Sequence, residues 1–252
     1  MKKLIIAFVL ATMPVLAVAA EGGPALDKAP VDLSDKASLQ HGAKLFVNYC
    51  LSCHSANFMR YNRMAKDLGL TDAEVKDNLM FASDKVGDTM SVAMNPEDAK
   101  RWFGNPPPDL SVIARARGAD YLYTYLRTFY QDDKRPFGVN NEVFKDVGMP
   151  HVLAELQGVQ KAVYHTEKDA EGIEHTSITG FELVTKGSMT PAEYDAAVGD
   201  LVNFLVYMGE PAQLQRKAMG IKVIAFLLVF FVLLITDILG FTHIYPFVNH
   251  PR

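Results

Sequence analysis

The chain has two cysteines among its 252 residues, and both fall in one five-residue run, Cys50-Leu51-Ser52-Cys53-His54. This is the spacing of c-type haem attachment. Two thiols three positions apart add to the two vinyl groups of a haem, and the histidine that follows brings its imidazole to the iron from one face. The preceding segment, Leu39–Tyr49, reads as a helix with apolar positions that can lie against the porphyrin. Three other uses of such a pair compete. A disulfide fits an exported chain. A thioredoxin-like pair follows a strand and opens a helix, and no βαβ context is visible here. A zinc site needs further ligands, and there is no third cysteine. The run therefore points to one covalently bound haem c, with Cys50 and Cys53 as attachment points and His54 as an axial ligand.

The second axial ligand has to be found elsewhere. A soft thioether favours ferrous iron, so methionine suits high-potential electron transfer. Met59 and Met64 stand too close to His54 to come round the ring. Met80 and Met208 lie in helical patterns and read as core. Met94, before Asn95-Pro96, is a real rival. Met149 lies in Asp146-Val147-Gly148-Met149-Pro150, after an irregular stretch rich in Gly, Pro and Asn. A loop passing over the far side of a haem has that character, which favours Met149.

The first twenty residues carry an export signal. Lys2 and Lys3 precede an apolar stretch from Leu4 to about Leu16, and Ala17-Val18-Ala19-Ala20 offers a cleavage site before Glu21-Gly22-Gly23-Pro24. Removing residues 1–20 leaves 23 basic against 29 acidic side chains, a formal charge of −6. An acidic balance argues against nucleic acid and for a partner with a basic patch.

A second apolar segment runs unbroken from Val223 to Ile235 and extends from Ile221 through Phe241, enough to cross a bilayer. Asp237 sits toward one end and Lys222 can snorkel at the other. Arg216, Lys217 and Lys222 before the span favour the opposite orientation by the positive-inside rule. A cleaved signal exports the domain regardless, because large domains translocate largely independently of their charge. The expected organisation is a signal peptide over 1–20, a periplasmic haem domain over 21–210, a linker and transmembrane helix over 211–242, and a cytoplasmic tail over 243–252. The location is a bacterial inner membrane crossed once.

Within the body, helical patterns cover Leu39–Tyr49, Thr71–Phe81, Asp109–Arg117, Ala119–Tyr130 and Pro191–Met208. The last opens on Thr190-Pro191-Ala192-Glu193, an N-cap, an N1 proline and a capping-box glutamate. Between Val163 and Val184 the pattern turns polar, β-branched and Gly-punctuated, as in a small hairpin. The fold class is mainly α: a cytochrome c-like helical haem domain with a β-hairpin excursion, plus one C-terminal transmembrane helix.

These residues together resemble the cytochrome c1 family over nearly the whole exported chain. Pro107-Pro108-Asp109-Leu110-Ser111, then Arg115-Ala116-Arg117 and Asp120-Tyr121, are similar to the family signature and far more specific than the haem motif alone. Gly148-Met149-Pro150 aligns with the family's axial-methionine loop. Gly209-Glu210-Pro211 before Arg216-Lys217 is similar to its approach to the membrane anchor. The departures are the absence of cysteines for an extra disulfide and a shorter Met-Pro-His axial loop, which resemble the compact bacterial form.

The resemblance implies Cys50, Cys53, His54, Met149, Arg117, Tyr121 and Pro108 as haem-binding residues, with His54 and Met149 on the iron. Arg117 and Tyr121 suit the haem propionates, which need charge-assisted donors. Arg115 reads as an exposed helical residue, and Trp102 as either core or haem packing. The function implied is that of a one-electron carrier with no catalysis of its own. It takes electrons from a Rieske iron–sulfur protein beside cytochrome b and passes them to a soluble or membrane-attached cytochrome c. A free-standing tethered monohaem carrier and a haem peroxidase-type enzyme are the alternatives.

Overall fold

A computed structural model describes residues 24–92, 94–168 and 172–244. The expected signal segment and nearly all of the expected tail lie outside the described residues. The fold is mainly helical, with three small two-stranded antiparallel sheets among the described residues.

Two helices from opposite ends of the domain form its backbone. Helix α1 (Lys36–Leu45) starts at Asp35, whose carboxylate accepts the Ser38 N–H. It buries Leu39, Gly42, Ala43 and Leu45 against helix α8 (Pro191–Gly209). The two cross closely at Gly42. A Cβ there would stand 2.7 Å from Phe204 Cβ and would also meet the Asp200 carbonyl. One turn on, the Phe46 and Phe204 rings pack at 5.7 Å. The capping box expected at Thr190 and Glu193 is present, with Pro191 in the first turn. Buried Asn203 donates to the Asp32 carbonyl at 2.7 Å and to Ser38 Oγ at 3.0 Å, tying α8 to the start of α1.

Helix α1 does not continue regularly to Tyr49. It loosens into a π-helical turn over Phe46–Cys50. The Cys50 carbonyl then accepts the N–H groups of Cys53 and His54, at 3.0 and 2.8 Å. π turns are frequent at functional sites because they rotate the following residues out of helical register. Here the rotation falls on the Cys50–His54 run.

Strand β1 (Ala56–Arg60) pairs with β2 (Thr89–Met90). Helices α2 (Tyr61–Leu68) and α3 (Asp72–Asn78) lie between these strands. Helix α4 (Pro96–Phe103) begins on an Asn95 cap. Helices α5 (Ile113–Arg117) and α6 (Ala119–Arg127) follow, joined at Gly118. Arg127 is bound by both oxygens of Asp195 at 2.6 and 3.1 Å, which fixes α6 on α8. Strands β3 (Phe129–Gln131) and β4 (Val139–Asn141) pair. A short helix, α7 (Ala154–Gln157), leads into the hairpin of β5 (Gly158–Lys168) and β6 (Glu174–Lys186). The hairpin is longer than the 163–184 excursion expected. Its base is held by Gln160, which donates to the carbonyls of Arg127 and Phe129 at 2.9 and 2.8 Å.

Three helical expectations are corrected in extent. The 71–81 helix ends at Asn78, so buried Met80 is core but not helical. The helix expected from Asp109 begins at Ile113, because Asp109 and Ser111 are engaged by another strand. The helix expected to reach Tyr130 stops at Arg127, where β3 takes over. Trp102 is corrected as well. It is 57% exposed and belongs neither to the core nor to the main cavity.

Helix α9 (Gln213–Ile244) leaves the domain as one continuous rod of 32 residues, about 48 Å long. Residues Gln213–Asp237 are long and apolar enough to cross a membrane, and none of that stretch is buried against the domain. A core helix packs one face against its neighbours, and residues Gln213–Asp237 bury none. Its start is held by Glu210, which accepts from Arg216 and stands 3.9 Å from Arg115.

Candidate haem site

A cavity of about 390 Å³ is lined by α6, α8, the turn at Cys50–His54 and the 144–152 loop. That is the size and character of a site for a small molecule or cofactor: concave, mostly apolar, with a few polar groups. The π turn and the loop after it contribute Tyr49, Cys50, Cys53 and His54. The proline run contributes Asn105 to Pro108, with Leu110 and Ile113 beyond it. Helix α6 and its approach supply Arg117, Tyr121, Leu122, Tyr125 and Leu126, and α8 supplies Leu201 and Leu205. The 144–152 loop brings Phe144, Val147, Gly148, Met149, Pro150 and Val152. All seven residues expected at the site are thus among its lining.

Cys50 and Cys53 are free thiols. Cys50 is buried, and burial, with a contribution from Cys53, pushes its thiol up to about 12. It is therefore held protonated and un-ionised.

His54 is held by its neighbours. Its Nδ1 stands 2.8 Å from the Pro108 carbonyl, which can only accept, so Nδ1 carries the proton and Nε2 keeps its lone pair. Burial lowers the His54 pKa, against the Pro108 carbonyl and Asp109, which raise it. The ring is therefore a neutral imidazole with one nitrogen free, the form that binds metals.

The proline loop is itself clamped to the segment after His54. Leu110 N donates to the Ser55 carbonyl at 2.8 Å. Asp109 accepts the N–H groups of Asn57 and Ser111, both at 2.8 Å, and Ser111 Oγ accepts the Phe58 N–H at 3.0 Å. Burial raises the Asp109 carboxyl, but these hydrogen bonds outweigh it and hold the group below the ordinary carboxylate range. The signature Pro-Pro-Asp-Leu-Ser is thus a clasp that presents the Pro108 carbonyl to His54.

Met149 lines the same cavity. The Tyr125 hydroxyl donates to its sulfur at 3.4 Å. Burial, and then Tyr121, push the Tyr125 pKa upward. Tyr125 stacks on Tyr121 at 6.1 Å, and the Arg117 guanidinium lies 5.5 Å from the Tyr121 ring centre. Arg117 is the only Lys, Arg, Asp or Glu among the described lining residues. The 139–149 loop is built by side-chain amides. Asn141 donates to the Tyr125 carbonyl at 2.8 Å and accepts from Val143 N and Phe144 N. Asn140 accepts the Asp146 N–H at 2.8 Å. Asp146 adopts φ 62°, a left-handed conformation that aspartate tolerates better than most residues. Its carbonyl accepts from Arg135 at 2.8 Å.

Other candidates fall outside the cavity. Met94 lines a separate shallow depression with Leu51, Ser52, Phe81 and Trp102. Met59, Met64, Met80 and Met208 are buried in the core. Arg115 faces Glu210. His151, two residues after Met149, stacks on Phe129 at 4.8 Å and bonds Gln157 at 2.7 Å. Burial, only partly offset by Gln157, lowers it to about 4.

The residues present fit a haem. The cavity combines two free thiols, a neutral imidazole with a free nitrogen, a thioether, a largely apolar wall and one cation with no carboxylate among the described lining residues. Sequence reasoning missed Tyr125, Asn141 and the α8 leucines. Tyr125 had one signal, its position four residues after Tyr121 on a helix.

The model of the Cytochrome C1 family matches residues 27–238. A cytochrome c1 of Allochromatium vinosum is 49% identical over 233 residues, covering 92% of this chain and 95% of that protein. A protein of Nitrosomonas europaea named ammonia monooxygenase gamma subunit is 52% identical over 203 residues, covering 80% and 81%. A cytochrome c1 of Rhodobacter capsulatus is 27% identical over 227 residues, covering 77% and 78%.

Proposed function

This chain belongs to the cytochrome c1 family, a redox subunit and haem electron carrier of the bc1 complex, and from that premise we propose that it moves single electrons from a Rieske iron–sulfur protein to a cytochrome c at the periplasmic face of a bacterial inner membrane. The observation that carries this reading is the meeting of Cys50, Cys53, His54 and Met149 in one cavity. A haem c held there supplies a reversible one-electron couple at its iron.

The chain's own residues do the rest. Cys50 and Cys53 attach the group covalently, which keeps one haem with the polypeptide. His54, its proton held on Nδ1 by Pro108, gives its free nitrogen to the iron. Met149 supplies the soft ligand that favours the reduced state. Arg117 offsets the propionate charge, and the Tyr121 hydroxyl offers a hydrogen bond. The leucines of α6 and α8 exclude water, which keeps solvent reorganisation small when charge moves. Residues 1–20 direct export, 21–210 form the periplasmic domain, 211–242 anchor it beside cytochrome b, and 243–252 face the cytoplasm.

The monooxygenase name of the Nitrosomonas relative suggests a second reading, an oxygen-handling subunit. Oxygen chemistry needs an open iron position. A sulfur ligand from Met149 closes that position. The deciding experiment purifies the full chain from its native membrane. Co-purification with cytochrome b and a Rieske protein, quinol-dependent haem reduction and no carbon monoxide binding are expected. Isolation without those partners, with a carbon monoxide-binding haem, would overturn the proposal.

A further inference from the structure

Tyr125 meets Met149 through the one polar atom on its ring, and its other polar contacts are already fixed. The hydroxyl stands 3.4 Å from the Met149 sulfur, and its partner in that bond is the sulfur alone among the described contacts. The ring cannot easily swing away. Tyr121 stacks on it with an interplanar angle of 11°, and Phe129 meets it edge-on at 5.1 Å. Its backbone carbonyl accepts from Asn141, the residue that also organises the start of the methionine loop. Tyr125 therefore ties that loop to α6 at two points, one on the backbone and one on the sulfur.

A thioether sulfur has two lone pairs. With one given to a metal, the other remains to accept a hydrogen bond. A donor on that second pair draws electron density from the sulfur and weakens its donation. Weaker donation disfavours the more electron-poor, oxidised metal more than the reduced one. Hydrogen bonds to a ligand are a recognised means of tuning a redox centre, separate from the identity of the ligand itself.

We propose that Tyr125 is a positioning residue that raises the reduction potential of the site by holding and polarising the Met149 thioether. This rests on Met149 being the second axial ligand.

The test uses the full-length holoprotein and three variants, Tyr125→Phe, Tyr123→Phe and Met149→Leu. Tyr125→Phe keeps the ring and removes the hydroxyl. Tyr123→Phe removes a hydroxyl from the same helix that faces the Asp195 carbonyl instead. At the ambient potential that half-reduces the parent protein, Tyr125→Phe should raise the ratio of oxidised to reduced haem by about two- to tenfold, the range of one neutral hydrogen bond. Tenfold corresponds to 59 mV for a one-electron couple. The near-infrared sulfur-to-iron band should remain but move. Tyr123→Phe should leave both readings unchanged, and Met149→Leu should abolish the band. If Tyr125→Phe leaves potential and band unmoved while Met149→Leu abolishes the band, the role of Tyr125 is refuted and Met149 stands. An equal shift in Tyr123→Phe refutes it too. If the band survives in Met149→Leu, the ligand assignment itself falls.

Discussion

His54 Nδ1 lies 2.8 Å from the carbonyl oxygen of Pro108, and the loop that carries Pro108 is fastened to the strand following His54 by Asp109 and Ser111. The imidazole is oriented by backbone that is itself held by side chains. Asp109→Ala removes the acceptor for two N–H groups, those of Asn57 and Ser111. Unfolding in denaturant should show a loss of about 1–3 kcal/mol, the cost of leaving such donors unpaired. Redox titration should show a changed potential with the haem still attached. Unaltered stability would mean that the clasp does not hold the loop.

The crossing of α1 and α8 leaves no room at Gly42. Gly42→Ala should separate the two helices and lower stability by about 1–3 kcal/mol. Gly87 has nothing within 4 Å of an added Cβ, so Gly87→Ala is the control and should change little. Equal effects in the two variants would remove the close crossing as the cause.

Asp120 fastens the N-terminal segment to α6. It accepts the Ala29 N–H at 2.9 Å and Lys28 Nζ at 3.2 Å. The Ala29 N–H is the main cause holding its carboxyl below the ordinary range, with slight burial opposing and Lys28 assisting. A carboxyl depressed in the folded state stabilises above its unfolded pKa, about 3.9, and loses that stabilisation as pH falls through the folded value. The stability difference between the parent and Asp120→Asn should therefore be full near pH 7 and shrink below about pH 4. A difference independent of pH would contradict this.

The proposed haem attachment uses Cys50 and Cys53, both free thiols. After denaturation and acidified organic extraction, haem should stay with the polypeptide. Single Cys→Ala variants should each retain one thioether, and the double variant should release haem entirely. Haem in the solvent phase of the parent protein would end the thioether assignment.

The sequence was most legible where a single local pattern determined the structure. Thr190-Pro191 and Glu193 start α8 as their spacing demands, and the Val223–Ile235 run lies in an exposed helix. It was least legible where distant segments compete for backbone groups. Asp109 and Ser111 look like the beginning of a helix, yet both are drawn to β1 and delay α5 to Ile113. The regular reading of Leu39–Tyr49 misses the π turn over Phe46–Cys50. Asn95-Pro96 starts α4, a helix that the sequence patterns above did not include. The seven residues expected from the motifs and the resemblance line one cavity. The hydroxyl of Tyr125 on the Met149 sulfur was not legible in them, because that contact exists only once α6 and the 139–149 loop are folded together.

Met149, and not Met94, is the proposed ligand of the iron. Met149 lines the cavity with His54, whereas Met94 lies in the outer depression beside Trp102. Replacement of either by leucine conserves volume, so packing costs should be small. The measurement is the near-infrared sulfur-to-iron band together with the reduction potential, taken on the full-length holoprotein. Met149→Leu should lose the band and lower the potential by on the order of 100 mV or more, against the roughly 0.8 V that axial ligands span, while Met94→Leu retains both. Loss of band and potential in Met94→Leu, with both intact in Met149→Leu, would contradict the assignment.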